Sequence, residues 1–303
     1  MTATTMKRHP IRQWSQVRFA LLVLIPVLAW FVIFMLVPIG QTFWLSFQRF
    51  NPLNLDVSRW TGLDNFVDVL NDPRFQRASL NSLVYVIGKV ALTIPISIGL
   101  AVLLARSRHR QFYIVAFFLP GVMSLLATAV LFRFLYNPNI GAFDQILRFL
   151  HLPTSAFIYS PDSALASLIA MDVWKTFGFY TLIALAGVLQ IPPSLREAAE
   201  LDGAGPFRSF WYVTLPLLRR IIALILVMTT IESLQVFSSA FVLSGSTYGP
   251  QDSMLVLAGL IYTKGIGSLD LGYAGAASLV LFLVTMIVTL FQLRITRSDV
   301  EYT

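Results

Sequence analysis

The feature that most restricts what this chain can fold into is a series of apolar runs, each long enough to cross a bilayer, recurring along its 303 residues. Crossing about 30 Å of hydrocarbon takes about 20 helical residues. Six runs meet that length: Phe19 to Phe47, Leu80 to Leu104, Phe112 to Tyr136, Ala164 to Leu189, Ile221 to Leu243 and Leu271 to Leu293. Backbone N–H and C=O groups find no water in lipid, so these interiors must be helical, and Pro26, Pro38, Pro95 and Pro120 mark kinks or ends. With 56% hydrophobic and 12% charged residues, the expected class is all-α and polytopic. The first run exceeds a signal-peptide core and has no small-x-small cleavage pattern after it, so it reads as an uncleaved anchor.

A net charge of +7 does not point to nucleic acid, because the basic residues form short clusters between apolar runs, not one face. Topology accounts for them. Lys7, Arg8, Arg12 and Arg18 precede the first run, Arg106, Arg108 and Arg110 follow the second, Arg196, Arg208, Arg219 and Arg220 follow the fourth, and Arg294 and Arg297 follow the last. Between them, Arg59, Arg74 and Arg77 are offset by Asp56, Asp64, Asp68 and Asp72, and Lys264 by Asp252 and Asp270. An excess of Lys and Arg stays in the cytoplasm, so both termini are expected there: a tail over 1–18, a membrane domain over 19–293 and a tail over 294–303. In the first external segment, Leu63, Phe66, Val67 and Leu70 fall at helical spacing, with Pro73 to end a short surface helix. The run Gly272 to Ser278 (GYAGAAS) offers small residues where helices can approach closely. No internal repeat stands out.

Several chemistries are excluded. The chain has no cysteine, so it has no disulfide, thiol nucleophile or Cys-based metal site. It has no G-x-x-x-x-G-K-[ST], so it cannot cradle ATP phosphates in the P-loop manner. H-E-x-x-H and G-x-S-x-G are also missing, and His9, His109 and His151 lie in tails or loops. No catalytic residue, metal site or cofactor is expected in this chain.

One segment breaks the apolar pattern. Ile191, Pro192 and Pro193 stop the fourth run, and Ser194 with Glu197 fits S-x-x-E, a capping box that opens a new helix. Gly203 stops it, Gly205 turns the chain, and Pro206 starts another helix from its first position. Phe207, Phe210, Trp211, Thr214 and Leu215 then share a face until Pro216 breaks the run. The product is two short helices at an angle. They could form a rigid knob for a partner, with Ala198 and Ala199 allowing close approach and Arg196, Glu197, Glu200 and Asp202 supplying charge. They could equally be interfacial helices resting on lipid headgroups.

The stretch resembles the EAA motif of permease subunits of bacterial and archaeal ABC importers, E-A-A, three residues, G, nine residues, I, one residue, L-P. Glu197, Ala198, Ala199 and Gly203 match, and Val213, Leu215 and Pro216 complete it with Val in place of Ile. Trp60 to Phe75 (WTGLDNFVDVLNDPRF) and Gly249 to Ile266 (GPQDSMLVLAGLIYTKGI) are similar to the sugar-permease branch, the maltose and glycerol-phosphate type, although Leu243 to Pro250 (LSGSTYGP) departs from the usual T-G-G-G-P. The resemblance implies a type I importer permease of six transmembrane helices in the inner membrane, with a cytoplasmic coupling loop over 190–216 that docks on an ABC ATPase dimer. It also implies a second permease subunit, an extracytoplasmic solute-binding protein, ATP and Mg held by the ATPases, and a sugar, oligosaccharide or sugar-like solute such as glycerol phosphate as cargo.

Ionisable residues within the runs are candidates for the path, since each costs at least about 2.5 kcal/mol at a helix centre unless paired or hydrated. Arg133, near the end of its run, reads as snorkelling. Asp172 and Lys175 are three residues apart on one helical face, so self-pairing is expected ahead of substrate contact. Glu232 has no base at i±3 or i±4 and needs a partner on another helix, in water or in the cargo; Lys89 is one such partner. Glu232 ranks first, then Asp172 and Lys175, with Gln235, Ser238 and Ser239 following; Trp174, Phe177 and Tyr180 are aromatic faces compatible with sugars, although residue by residue packing between helices or against lipid is the stronger expectation. These intramembrane acids also motivate the alternative of a secondary transporter driven by an ion gradient, and an intramembrane enzyme is a more distant one.

Overall fold

The computed structural model describes residues 11–50, 52–53 and 58–296. Residues 1–10 and 297–303 of the expected tails, with Lys7, Arg8 and Arg297, lie outside the described residues, as does Asp56. Helix α1 starts as Ile11–Phe31, passes a π turn at Val32–Leu36 and continues as Val37–Leu45. A two-residue hairpin, Gln48–Arg49 with Arg59–Trp60, leads to α2 (Asp64–Asn71) and α3 (Pro73–Ala105). Then come α4 (Arg110–Val122), α5 (Leu125–Leu135), α6 (Ala142–Phe149) and α7 (Ala164–Leu189). After α8 (Pro193–Leu201), α9 (Pro206–Leu217) leads into α10 (Arg219–Leu234), α11 (Ser238–Leu243), α12 (Leu257–Tyr262) and α13 (Leu271–Thr296).

Among the described residues, four helices are long and apolar enough to cross a membrane, and up to six spans result if each of two bent pairs counts as one. The bent pairs mark where a straight reading of the apolar runs fails. The third run turns by 93° between α4 and α5, and the run from α9 into α10 turns by 69° at Leu218. The fifth run is also interrupted: helix stops at Leu234 and resumes at Ser238, with Phe237 at φ −142°. Ser233 Oγ bonds the Thr229 carbonyl at 2.6 Å just before that break. Such back-bonding by Ser and Thr competes with the helix ladder and bends helices. The fourth run, by contrast, forms one helix over its full expected length.

Proline acts less uniformly than expected. Helix α3 runs through Pro95 without a break. Pro38 and Pro216 each lie two residues after a π turn, Val32–Leu36 and Phe210–Thr214, where Val37 N–H reaches the Val32 carbonyl and Leu215 N–H the Phe210 carbonyl. A proline ring clashes with the carbonyl four residues back, and widening the preceding turn relieves it. The sharp break falls beyond Pro216, at Leu218.

Helix α3 begins seven residues earlier than the apolar run because Pro73 occupies its first position and Asp72 accepts the Arg74 N–H at 2.8 Å. Its 33 residues span about 50 Å, more than a hydrocarbon core, so one end projects beyond it. The short surface helix forms as α2, but of its apolar stripe only Phe66 packs inward, against the cluster around Val69. Leu63, Val67 and Leu70 are exposed, while Val69 is buried and Asn65 is pinned by carbonyls of Ser46 and Gln48 at 2.8 and 2.9 Å. These two amide bonds, one buried and one partly buried, fix the rotation of the helix and leave most of its apolar stripe outside.

Close backbone approach holds the bundle together, as lipid removes the hydrophobic drive between helices. On α13, a β-carbon at Gly275 would stand 3.0 Å from the Thr42 carbonyl, and Ala276 and Ala277 are fully buried. On α7, a β-carbon at Gly178 would overlap the Phe117 carbonyl of α4. Around α7, one core joins Tyr85, Phe132, Met171, Leu243 and Met254, and a second joins Ile98, Leu104, Leu185, Val188 and Leu218.

Beside α2, the chain is tied across long sequence distances. Arg74 holds Asp252 through two bonds at 2.9 and 3.1 Å, and Arg77 donates to the Gln251 carbonyl at 2.7 Å. Asp72 also accepts from Tyr273 at 2.9 Å and lies 3.3 Å from Lys264. Partial burial pushes the Asp72 carboxyl upward, but its Arg74, Tyr273 and Lys264 donors outweigh that and hold it below its ordinary value of 3.8.

Candidate substrate cleft and coupling loop

Helix α7 carries Asp172, Lys175, Thr176 and Tyr180 past two interrupted neighbours, the α4–α5 corner and the α10–α11 break. Between them lie two adjoining clefts of about 360 and 570 Å³. Lys175, Thr176 and Glu232 line both. Non-helical backbone at membrane depth is tolerated where protein or a cavity satisfies it, and here the cleft sits beside both breaks.

Asp172 and Lys175 do not pair with each other. Asp172 is buried and accepts hydrogen bonds from Tyr85 Oη of α3 and from Ser239 Oγ of α11, the latter at 2.8 Å. Lys175 Nζ turns to the α4–α5 corner, where it donates to the carbonyls of Met123, Pro120 and Gly121. The expected i,i+3 pairing is overturned by tertiary partners. Helix α4 ends at this corner, and an ammonium there meets both its last carbonyls and the negative end of the helix dipole.

Glu232 meets Lys89 across helices, with Nζ 3.3 Å from Oε2. Tyr180 Oη donates to the same oxygen at 2.9 Å. The pair is lopsided: the Lys89 side chain is 3% exposed and that of Glu232 47%. Gln235 and Ser238 are exposed on the smaller cleft and Ser239 is buried on it. Of the aromatic candidates, Trp174 turns away to pack on Phe132 at 5.1 Å, and Phe177 packs on Phe117 at 5.8 Å. The rings that line the larger cleft are Phe118, Phe179 and Tyr180. Tyr85, Thr176, Phe118 and Phe179 escaped the sequence reading. Tyr85 and Lys89, four apart on α3, could have been found as a polar pair on one face of an apolar helix. Arg133 is exposed, and its guanidinium lies against Gly245.

The interrupted segment folds as two short helices. Ser194 does not cap: helix α8 starts at Pro193 after Pro192, with no side-chain cap, because the proline takes the first helical position and pushes Ser194 inside. Its other end closes as a Schellman motif, with Gly203 N–H on the Glu200 carbonyl at 3.0 Å and Ala204 N–H on the Ala199 carbonyl at 2.9 Å. Gly203 sits at φ +79°, a left-handed conformation that a side chain disfavours. The face expected from Phe207 to Leu215 is split. The π turn at Phe210–Thr214 rotates the helix, so Thr214 is buried and Phe210 and Leu215 pack inward, while Phe207 and Trp211 are exposed. Glu197 and Ala198 are exposed, Ala199 and Val213 are partly covered, and Pro216 is exposed. Leu201, Phe207 and Tyr212 stand 76% exposed or more.

The sequence profile described as binding-protein-dependent transport system inner membrane component matches residues 74–298. The probable ABC transporter permease protein YurN of Bacillus subtilis is 30% identical over 92% of this chain and 96% of its own. The trehalose/maltose transport system permease protein MalF of Thermococcus litoralis is 29% identical over 94% and 96%. The fold matches a crystal structure of a bacterial ABC transporter that imports the acidic polysaccharide alginate, with TM-score 0.81 and 26% identity over 96% of this chain and all of that one. A second structure of the alginate transporter, bound to its periplasmic protein loaded with an alginate pentasaccharide, matches at TM-score 0.81 and 25% identity over 97% and all. A motif fixed in sequence, a bundle of long apolar helices and this breadth of likeness converge: the chain belongs to the family of binding-protein-dependent transport system inner membrane components, as a multi-pass permease subunit of an ABC importer.

Proposed function

We propose that this permease crosses the membrane six times, each bent pair forming one span, with both termini in the cytoplasm, and that it moves a saccharide or sugar-like solute by alternating access. The membrane domain runs over 19–293 between tails at 1–18 and 294–303. The cargo path is the double cleft beside α7, where Glu232, Asp172, Lys175, Gln235 and Tyr180 gather. Saccharide cargo is supported by the trehalose/maltose relative and the alginate-importing neighbour, and by a cleft that combines hydroxyl, amide and carboxylate groups with aromatic rings. Family membership displaces the ion-gradient alternative.

The loop over 190–216 is the coupling element. Glu197, Ala198, Ala199 and Gly203 on α8, with Val213, Leu215 and Pro216 on α9, dock on an ATPase dimer that binds ATP and Mg. A second permease subunit completes the pore, and an extracytoplasmic binding protein delivers cargo. The observation that carries this reading is the connection between loop and cleft: α9 passes through the 69° bend at Leu218 directly into α10, whose far end bears Glu232. Gly187 of α7 packs against that bend, where a β-carbon would meet Ile221 at 2.7 Å. Pushing the stub therefore turns α10 against α7 and reshapes the cleft.

The test is Gly203→Asp in the assembled importer. Membrane insertion is expected to persist, because a β-carbon at Gly203 meets no atom within 4 Å, while ATPase co-purification and cargo-stimulated hydrolysis fall. Undiminished co-purification and stimulation would remove the coupling role.

A further inference from the structure

We propose that the cleft is built for an uncharged, hydroxyl-rich solute and that Glu232 is the residue that turns anionic cargo away. This rests on the reading of the cleft as the cargo path. Four charged side chains line the smaller cleft: Lys89, Asp172, Lys175 and Glu232. Their formal charges cancel, but they are not equally presented. Lys89 is 3% exposed and lies behind Glu232 at 3.3 Å. Lys175 points its ammonium at the carbonyls of Pro120, Gly121 and Met123. Asp172 is buried under the Tyr85 and Ser239 hydroxyls. Glu232 alone of the four is about half exposed; with Lys175 it lines both clefts.

A solute entering the cleft thus meets a carboxylate flanked by the amide of Gln235 and the hydroxyls of Thr176 and Ser238, while the Lys89 ammonium is enclosed against that carboxylate and the Lys175 ammonium is turned to the α4–α5 corner. Carboxylate oxygens only accept, so they match the many O–H donors of a neutral saccharide. A phosphate, sulfonate or uronate group brings acceptors and negative charge to the same place, and like charges held close are disfavoured. Lys89 lies enclosed behind the carboxylate, so the group a solute touches is the acceptor oxygens of Glu232 and not the ammonium. Selectivity here comes from a repulsive group as much as from an attractive one. It sets this chain apart from its structural neighbour, whose cargo is an acidic polysaccharide.

The experiment measures equilibrium binding to the assembled importer in nanodiscs, without its binding protein, at low and high salt. The probes are maltotriose, trehalose and arabinotriose against trigalacturonate and sn-glycerol 3-phosphate. An uncharged probe is expected to bind with salt-insensitive affinity, and every anion at least about tenfold more weakly. Glu232→Gln is expected to raise anion affinity about tenfold, now falling with salt, and Lys89→Gln/Glu232→Gln to abolish that gain. Wild-type protein that binds an anion best, with affinity falling as salt rises, overturns the charge selection but leaves the cleft as the path. Failure of every probe to bind, or probe affinities unmoved by Glu232→Gln, overturns the cleft as the path and the selectivity with it. The wild-type comparison decides even if the single variant does not assemble.

Discussion

The cleft beside α7 and the stub of α8 and α9 are both polar interruptions of an apolar chain, yet they are held by opposite means. In the cleft, each charged group is satisfied by a residue far away in sequence: Asp172 by Tyr85 and Ser239, Glu232 by Lys89 and Tyr180, Lys175 by the α4–α5 corner. The stub is satisfied by its own backbone, through a Schellman turn and a π turn, and leaves Leu201, Phe207 and Tyr212 outside. A cavity in lipid must make its own polar environment, whereas an element with the docking role proposed for the stub needs a rigid shape and a free face. The cleft should therefore be sensitive to single atoms in its walls, and the stub to its conformation.

The largest expected effect tests the walls. Gly178→Val would drive a side chain into the Phe117 carbonyl of α4, and backbone cannot yield as a flexible side chain does. Overpacking commonly costs about 1–3 kcal/mol, and a clash with backbone lies at or beyond the top of that range. The variant should fail to accumulate as folded protein, as read by monodispersity in detergent. A well-folded Gly178→Val importer would show that the α4–α7 contact is loose and that the cleft has no fixed wall.

The next effect is an asymmetry. Glu232→Gln strands a buried ammonium and should destabilise by about 3 kcal/mol, whereas Lys89→Met leaves a carboxylate that already faces the cleft and should cost about 1 kcal/mol. Replacing both should recover most of the loss. Thermal unfolding of the three variants checks the order. Equal costs would mean that Glu232 is as enclosed as its partner.

These two regions also differ in how far the sequence discloses them. Gly203, Gly205 and Pro206 punctuate the chain locally, and the stub reads off them, because a left-handed glycine and a helix-opening proline act within one turn. Ser194 misleads because Pro193 beside it is the stronger start. Helix α7 reads directly from an unbroken apolar run. Of the two breaks beside the cleft, the α4–α5 corner follows Pro120, which marks a kink or end in the sequence, but the other is silent: residues 235–237 contain neither Gly nor Pro, and periodicity has no means of recording that a helix stops where Ser233 turns on its own backbone. The spacing of Asp172 and Lys175 suggests a pair, but spacing carries no information about Tyr85, Ser239 or an exposed helix end. Local conformation is legible; partners brought together by packing are not.

A smaller effect concerns the cross-links beside α2, which are assembled from distant residues as the cleft is. Asp72 holds its carboxyl below the ordinary carboxylate value, so its contribution to stability is fully present above about 3.8 and is lost as pH falls through the lower folded-state value. Asp72→Asn should lower the unfolding temperature at neutral pH, and the two curves should converge in acid. A constant gap down to the most acid pH at which the fold survives would mean that the Tyr273 and Lys264 contacts owe nothing to the charge.

The smallest effect on stability belongs to the stub. Gly203→Ala adds one methyl group into open space, so the only cost is holding a non-glycine residue at φ +79°, about 1 kcal/mol. That strain lies in an exposed corner outside both buried cores, so the end of α8 can relax while the bundle stays folded, and the unfolding temperature should hardly move. Relaxation would undo the bonds from Gly203 to Glu200 and from Ala204 to Ala199 and change the angle between α8 and α9. If the stub works by shape, ATP hydrolysis coupled to transport should fall several-fold while binding of cargo to the cleft stays unchanged. Should hydrolysis and uptake both survive at full rate, the shape of the turn is dispensable, and the proposed coupling would have to rest on the exposed side chains of Leu201, Phe207 and Tyr212.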